Sequence, residues 1–314
     1  MFNFKKLIAG ALFAASAMQL LPGLATESLA ETTGGGSDLV ARLLATKLSD
    51  KFGQQFIVEN KPGAAGTVAT TALKQAPGDG YTFMLSNLTP FNIAPVRFPD
   101  TAYDPLKDFS HVSYIGTVNL GLFVSPDLGV TSLDAFVEKA KAEPGTIDFG
   151  TSGVGSWGHV VSALFGNETG TDIVHIPYKG SGPMRLDFRS GVVPVIFDAV
   201  PQNTPAVKEG SAVALAVSST ARLGNLPDVP TFTELGLDIV ANNWLGFTAP
   251  AGLDPQVAAA LDAALTEAME LPDVKEQFAA WGLSRTRKSS EEFSAYVASE
   301  YEKWKPLVKT ALSK

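Results

Sequence analysis

Between residues 146 and 217 the chain alternates apolar runs with glycine-punctuated helical segments. Strands are expected at 146–150, 172–177, 192–197 and 212–217. Helices are expected at 157–165 and 183–188, with a short helical turn at 205–208. Successive strand–helix units of this length bury both faces of a parallel sheet, so the body must be α/β. The same alternation occurs earlier. Asp38 (or Ser37) can cap a helix whose inner face is Leu39, Val40, Leu43, Leu44 and Leu48, and Gly53 ends it. A strand at 56–59, the turn Asn60-Lys61-Pro62-Gly63, a helix at 66–74, the turn Pro77-Gly78-Asp79-Gly80 and a strand at 81–85 follow. Residues 112–124 read as extended chain, and 134–142 as a helix behind Ser132.

The C-terminal part reads as helical. Asp254-Pro255 is an N-cap with proline at the first helical position, and Val257, Leu261, Leu265 and Met269 recur every four residues. A helix over 272–281 stops at Gly282. Ser289 and Glu292 form a capping box before Phe293, Tyr296, Val297, Tyr301 and Trp304, which are expected on one packed face.

Composition narrows function. Lys5 and Lys6 precede an uncharged run, Leu7 to Leu21, that is too short to span a bilayer comfortably. Small residues at Ser28 and Ala30 offer a cleavage site, and Gly23-Leu24-Ala25 offers a second. Residues 1–30 are thus expected to be a signal peptide, with a retained anchor as the alternative. Their removal takes the formal charge from −8 to −9, which argues against nucleic acid or an anionic membrane as partner. There are no cysteines and only three histidines, His111, His159 and His175, so no metal and no cofactor are expected.

The richest stretch is Asp148-Phe149-Gly150-Thr151-Ser152-Gly153-Val154-Gly155-Ser156-Trp157-Gly158-His159, between a strand and a helix. Glycines let backbone approach a ligand, a helix start presents free N–H groups, and Thr151, Ser152 and Ser156 add hydroxyls. This is an anion cradle that needs no cationic side chain. Gly153 to Gly158 also fits the dinucleotide pattern G-x-G-x-x-G, but the next strand ends at Tyr178-Lys179-Gly180 without the acid that would hold a ribose. A serine hydrolase using Ser152 or Ser156 with His159 or His175 lacks an evident acidic orienter. Ser86-Asn87 and Tyr178-Lys179 also end strands, where open α/β sheets bind ligands. Asp198 is either a turn cap or an acceptor in a donor-rich cleft.

The order of motifs resembles the receptors of tripartite tricarboxylate transporters, the Bug (TctC-like) family. It runs through Gly34-Gly35-Gly36-Ser37-Asp38, Val58 to Gly66, Asp79-Gly80-Tyr81-Thr82, Gly150 to Ser156 with His159, and His175 to Gly180. Phe197-Asp198, Leu226 to Thr231 and Trp244 to Gly252 complete it. The resemblance implies a two-lobed periplasmic binding protein fold (type II-like), each lobe a mixed sheet flanked by helices. The lobes would be 31–124 plus 219–314, and 125–218. It implies a monomeric, non-catalytic receptor that takes a small di- or tricarboxylate, or a related organic acid, to a membrane permease. It places ligand contacts at Gly36, Ser37, Asp38, Ser86, Asn87, Thr151, Ser152, Ser156, Tyr178, Lys179 and Asp198.

One departure stands out. The family carries a strand directly before the glycines, and here Glu31-Thr32-Thr33 stands in its place. The first strand of lobe 1 is therefore expected to be missing. Either the chain is a defective member, or an upstream segment such as Leu20–Leu29 fills the slot.

Overall fold

The computed structural model describes residues 26–30 and 36–312. Its first sheet is built on β1 (Thr26–Ala30), β2 (Phe56–Asn60), β3 (Thr82–Asn87), β9 (Asn242–Pro250) and β4 (Phe109–Val124). Strand β1 lies between β2 and β3 and is parallel to both. Five residues, Thr26 to Ala30, align with Phe56 to Asn60, and Glu27 to Leu29 align with Thr82 to Met84. The first strand is thus present, which corrects the expectation that it is missing. The slot is filled from upstream of the glycines, by residues expected to belong to the leader.

Strand β4 is 16 residues long and serves two sheets. Its first part, Phe109 to Asn119, pairs antiparallel with β9. Its last part, Leu120 to Val124, pairs antiparallel with β7 (Val195–Ala199) and, in part, with β8 (Val213–Val217). The second sheet continues through β5 (Asp148–Thr151) to β6 (Val174–Pro177), with β7, β5 and β6 parallel. The chain returns to the first lobe beside its exit. Ser218 N–H donates to Leu120 O (2.8 Å), Leu120 N–H donates to Ser218 Oγ (3.0 Å), and Ser218 Oγ donates to Ala241 O (2.6 Å).

Helices cover both sheets, as the α/β reading requires. The first is α1 (Gly36–Phe52), followed by α2 (Thr67–Gln75), α3 (Ala94–Arg97) and α4 (Leu133–Ala142). Then come α5 (Trp157–Thr169), α6 (Ser181–Arg189) and α7 (Val200–Lys208). The C-terminal region adds α8 (Pro255–Glu270), α9 (Pro272–Ala280) and α10 (Ser290–Ala311). In α1, Val40, Ala41, Leu44, Ala45 and Leu48 are buried at helical spacing, and Gly53 leaves in the left-handed region. The α10 capping box forms as expected, and Phe293, Val297 and Trp304 are buried while Tyr296 and Tyr301 are half-buried. Helix α7 is longer than the expected turn at 205–208. Pro201 sits in its first turn, where the missing N–H costs nothing.

The heart of the first lobe is aromatic. Phe91 and Phe293 pack against Trp244 at centroid distances of 5.8 and 5.4 Å, and Trp244 Nε1 donates to Asn92 Oδ1 (2.7 Å). Neither the helical segment over 89–97 nor strand β9 was expected from the sequence. Among the described residues no helix is long and apolar enough to cross a membrane.

Candidate ligand-binding site

A cavity of about 670 Å³ opens between the two sheets, beside the point where β4 crosses from one to the other. Four helix N-termini border it. Gly36 and Ser37 begin α1, Ser156 caps α5, Gly180 and Ser181 begin α6, and Ala199 precedes α7. The last three helices each follow a strand of the parallel set β5, β6 and β7 and start at its carboxyl end. Each helix start carries roughly half a positive charge and free N–H groups.

Of the expected contacts, Gly36, Ser37, Ser152, Ser156, Tyr178, Lys179 and Asp198 line the cavity. Ser156 Oγ is used inside the fold, accepting from His159 N–H (3.3 Å) as the α5 cap. Tyr178 OH donates to Asp187 Oδ2 (2.9 Å); burial and that carboxylate push the phenol up to about 12, so it stays protonated. Lys179 is exposed at the rim. Asp198, 6% exposed, accepts from Ser181 Oγ (3.0 Å) and Asn203 Nδ2 (2.9 Å) and pairs with Arg185 at 3.4 Å. It ties the starts of α6 and α7 together.

The other four sit behind the wall. Asp38 accepts from Asn60 Nδ2 (2.9 Å) and pairs with Arg42 at 3.0 Å. Ser86 Oγ donates to Gly246 O (2.9 Å) and lies 2.6 Å from Thr248 Oγ1 inside the sheet. Asn87 Nδ2 donates to Ser37 Oγ (3.4 Å), and its Oδ1 accepts from Thr89 N–H (2.9 Å). Thr151 Oγ1 bonds to His175 Nε2 (2.6 Å) and to the Gly153 backbone. Asn87 and Thr151 therefore hold two cavity loops in place.

Sequence reasoning missed one wall, Pro62-Gly63-Ala64-Ala65-Gly66. Its last four residues all have positive φ, at 130°, 46°, 53° and 83°. Two consecutive alanines in the left-handed region carry roughly 1–2 kcal/mol of strain each, of the kind that collects at ligand sites. The signal was the paired glycines around them. Thr89, Ser181 and Asn243 also line the cavity unpredicted. The remaining wall is apolar: Phe98, Val118, Leu120, Trp157 and Phe197.

Enzymatic readings of the 150–159 loop find no support in its geometry. His159 Nδ1 accepts from Gly155 N–H (3.0 Å), and its ring stacks on His175 at 4.1 Å. Burial holds both imidazoles down to about 4, helped by Arg97 beside His159 and by His159 beside His175. Among the described residues no serine side chain hydrogen-bonds a histidine ring, and no group of His, Asp and Glu has the makings of a metal site. Gly158 explains why the helix start can approach the sheet. A Cβ there would lie 2.5 Å from Phe197 O.

Comparison with known proteins agrees with this architecture. Protein BugT of Bordetella pertussis is 36% identical over 278 residues, covering 88% of this chain and 85% of BugT. The structure of R. palustris Rpa4515 with adipate superposes with a TM-score of 0.87 at 30% identity, covering 93% of this chain and 98% of that one. MatC (Rpa3494) from Rhodopseudomonas palustris with bound malate gives 0.85 at 28% identity, over 92% and 100% of the two chains. The family model described as the tripartite tricarboxylate transporter family receptor matches residues 40–312, and the chain belongs to that family.

Proposed function

We propose that this protein is a periplasmic receptor that captures a small carboxylate between its lobes and hands it to a membrane permease, without catalysing a reaction. The observation that carries the reading is the convergence of four helix N-termini on one cleft whose charged side chains, among the described residues, are Lys179 at the rim and the already paired Asp198. Such a cleft attracts an anion through backbone amides and helix dipoles, in a protein whose net charge is −8. The bound adipate and malate of the two R. palustris relatives support a carboxylate for this chain as well. The lobes on this reading are 31–124 plus 219–314, and 125–218. Hinge motion would centre on Leu120 and Ser218, where the two crossings are hydrogen-bonded together.

The apolar wall refines the ligand. A hydrocarbon body placed against Val118, Leu120 and Phe197 would bury apolar surface, whereas a polar group there would have to reach Thr89, Ser152 or Asn243 for a partner. A carboxylate with a hydrocarbon body fits better than a polyhydroxylated or tricarboxylic one. The test is a thermal-shift titration of the exported protein with hexanoate, benzoate, adipate, malate and citrate. Stabilisation that grows with concentration for at least one of them is expected, with the less polar acids leading. A cooperatively folded protein that responds to none would refute the receptor reading.

A further inference from the structure

The two stacked histidines do not line the ligand cavity, yet each is tied to the loop that does. Ser152, Gly153, Val154 and Ser156 face the cavity. Behind them His175 Nε2 meets Thr151 Oγ1 at 2.6 Å, and that hydroxyl also bonds to the N–H and the C=O of Gly153 (3.3 and 3.2 Å). Gly155 N–H donates to His159 Nδ1 (3.0 Å), so the proton of the neutral His159 ring sits on Nε2. The rings stack at 4.1 Å with 12° between their planes, and Phe149 stacks on His175 at 5.0 Å. The same loop touches the first lobe. A Cβ on Gly155 would lie 3.2 Å from Phe98 Cε2 and 3.4 Å from Arg97 Cγ, at the end of α3. Gly155 is thus held between His159 on its own side and α3 on the other. A smaller cavity of about 270 Å³ borders the pair, and its ionisable lining residues are Arg97, His159, His175 and the exposed Asp172. Its other lining residues, from β5, α5, the turn before β6 and the end of α10, are uncharged. Among the described residues neither ring pairs with a carboxylate. Burial first, and then Arg97, opposes a positive charge on His159; burial, and then His159, opposes one on His175.

We propose that His159 and His175 are positioning residues of the binding site: as neutral rings they hold the 151–156 loop in its ligand-facing form against α3, so that capture is tied to release of a proton. This role rests on the receptor reading and on the lobe division given with it, which puts α3 and the histidines in different lobes. A proton on His159 Nδ1 would take the acceptor from Gly155 N–H and set two donors against each other, at the residue that meets α3. It would also place an imidazolium opposite Arg97 across the lobe contact. With the lobes apart, the ring would be less buried and Arg97 farther off, so the open form would take up a proton more readily than the closed one. Ligand affinity would then be complete at neutral pH and would fall as acid protonates the open form.

Two measurements on the exported protein test this. Hydrogen–deuterium exchange at pH 7, without added acid, reads the loop itself. In His159→Leu the peptide over 150–158 should exchange roughly tenfold faster than in the parent, while β9 keeps its protection. His159→Asn, whose amide oxygen can stand in for Nδ1, should stay within about twofold of the parent. Equal protection of the loop in the parent and His159→Leu would overturn the proposal. Where the leucine variant also loses protection in β9, His175→Leu against His175→Gln makes the same comparison through Thr151. The second measurement is the affinity for adipate by calorimetry at pH 7.5 and 5.0. The parent should weaken roughly tenfold more than His159→Asn over that interval. The titration of adipate itself cancels in the comparison. Parallel profiles would overturn the proton coupling even with the expected exchange. Failure of both proteins to bind adipate at pH 7.5 would count against the receptor reading, while the exchange comparison still decides the positioning role.

Discussion

Stability should fall on mild acidification, and His111 should account for a measurable part of the fall. His111 is 5% exposed, edge-on to Phe91 and Phe293 at 5.4 and 5.2 Å, with Nδ1 3.1 Å from Thr248 Oγ1. Burial lowers it from 6.5 to about 4. The folded state therefore keeps the ring neutral while the unfolded chain takes up a proton as pH drops through 6.5. The associated stability is complete above 6.5 and is lost between 6.5 and 4. The full difference is about 3 kcal/mol, of which about 2 kcal/mol is gone by pH 5. His111→Gln keeps an amide within reach of Thr248 and cannot titrate. The assay is urea unfolding, followed by tryptophan fluorescence, at pH 7.5 and 5.0 for both proteins. Comparing the pH-induced change cancels any fixed cost of the substitution. The variant should lose about 2 kcal/mol less than the parent between the two pH values. His159 and His175 shift in the same direction and should leave the variant with some acid sensitivity. Equal losses in parent and variant would refute the assignment.

Three further outcomes are expected. Gly158→Ala forces a Cβ to within 2.5 Å of Phe197 O, so the start of α5 must lift from β7. A loss of about 1–3 kcal/mol should appear in urea unfolding, together with weaker ligand-induced stabilisation. Asp198→Ala removes the carboxylate that joins Ser181, Asn203 and Arg185 and leaves a guanidinium largely buried. It should cost about 3 kcal/mol by the same measurement, and Arg185→Met in the same chain should recover part of it. Asn92→Ala takes the acceptor from Trp244 Nε1 and the donor from Val297 O, at about 1–3 kcal/mol, and should shift the tryptophan emission.

What could be read from the sequence was local. The strand, glycine loop and helix over Asp148 to His159 sit within a dozen residues, so their geometry follows from turn chemistry and apolar periodicity. The roles of Ser86 and Asn87 depended on contacts with residues 160 and 50 positions away, Gly246 and Ser37. Their position at a strand end said nothing about which face each would meet. Strand β9 has the same cause. Asn242 to Pro250 pairs with β3 and β4 across more than a hundred residues, and its sequence has no alternation because it is almost wholly buried. Strand β1 is the extreme case. Thr26-Glu27-Ser28-Leu29-Ala30 has little strand character of its own, and the gap between β2 and β3 assigns it.

The placement of the four helix starts suggests why capture and closure would be one event in such a receptor. Three of them, α5, α6 and α7, follow strands of the second sheet, and only α1 follows a strand of the first. Each supplies roughly half a charge that decays within a turn of helix. With the lobes apart, an anion at the second sheet would feel those three termini but not α1. Closing would add the α1 amides at Gly36 and Ser37 and would press the strained Gly63–Gly66 loop against the ligand. A closed form of this kind would bind more tightly than the open one, and a difference in affinity is the means by which a ligand shifts a two-state equilibrium.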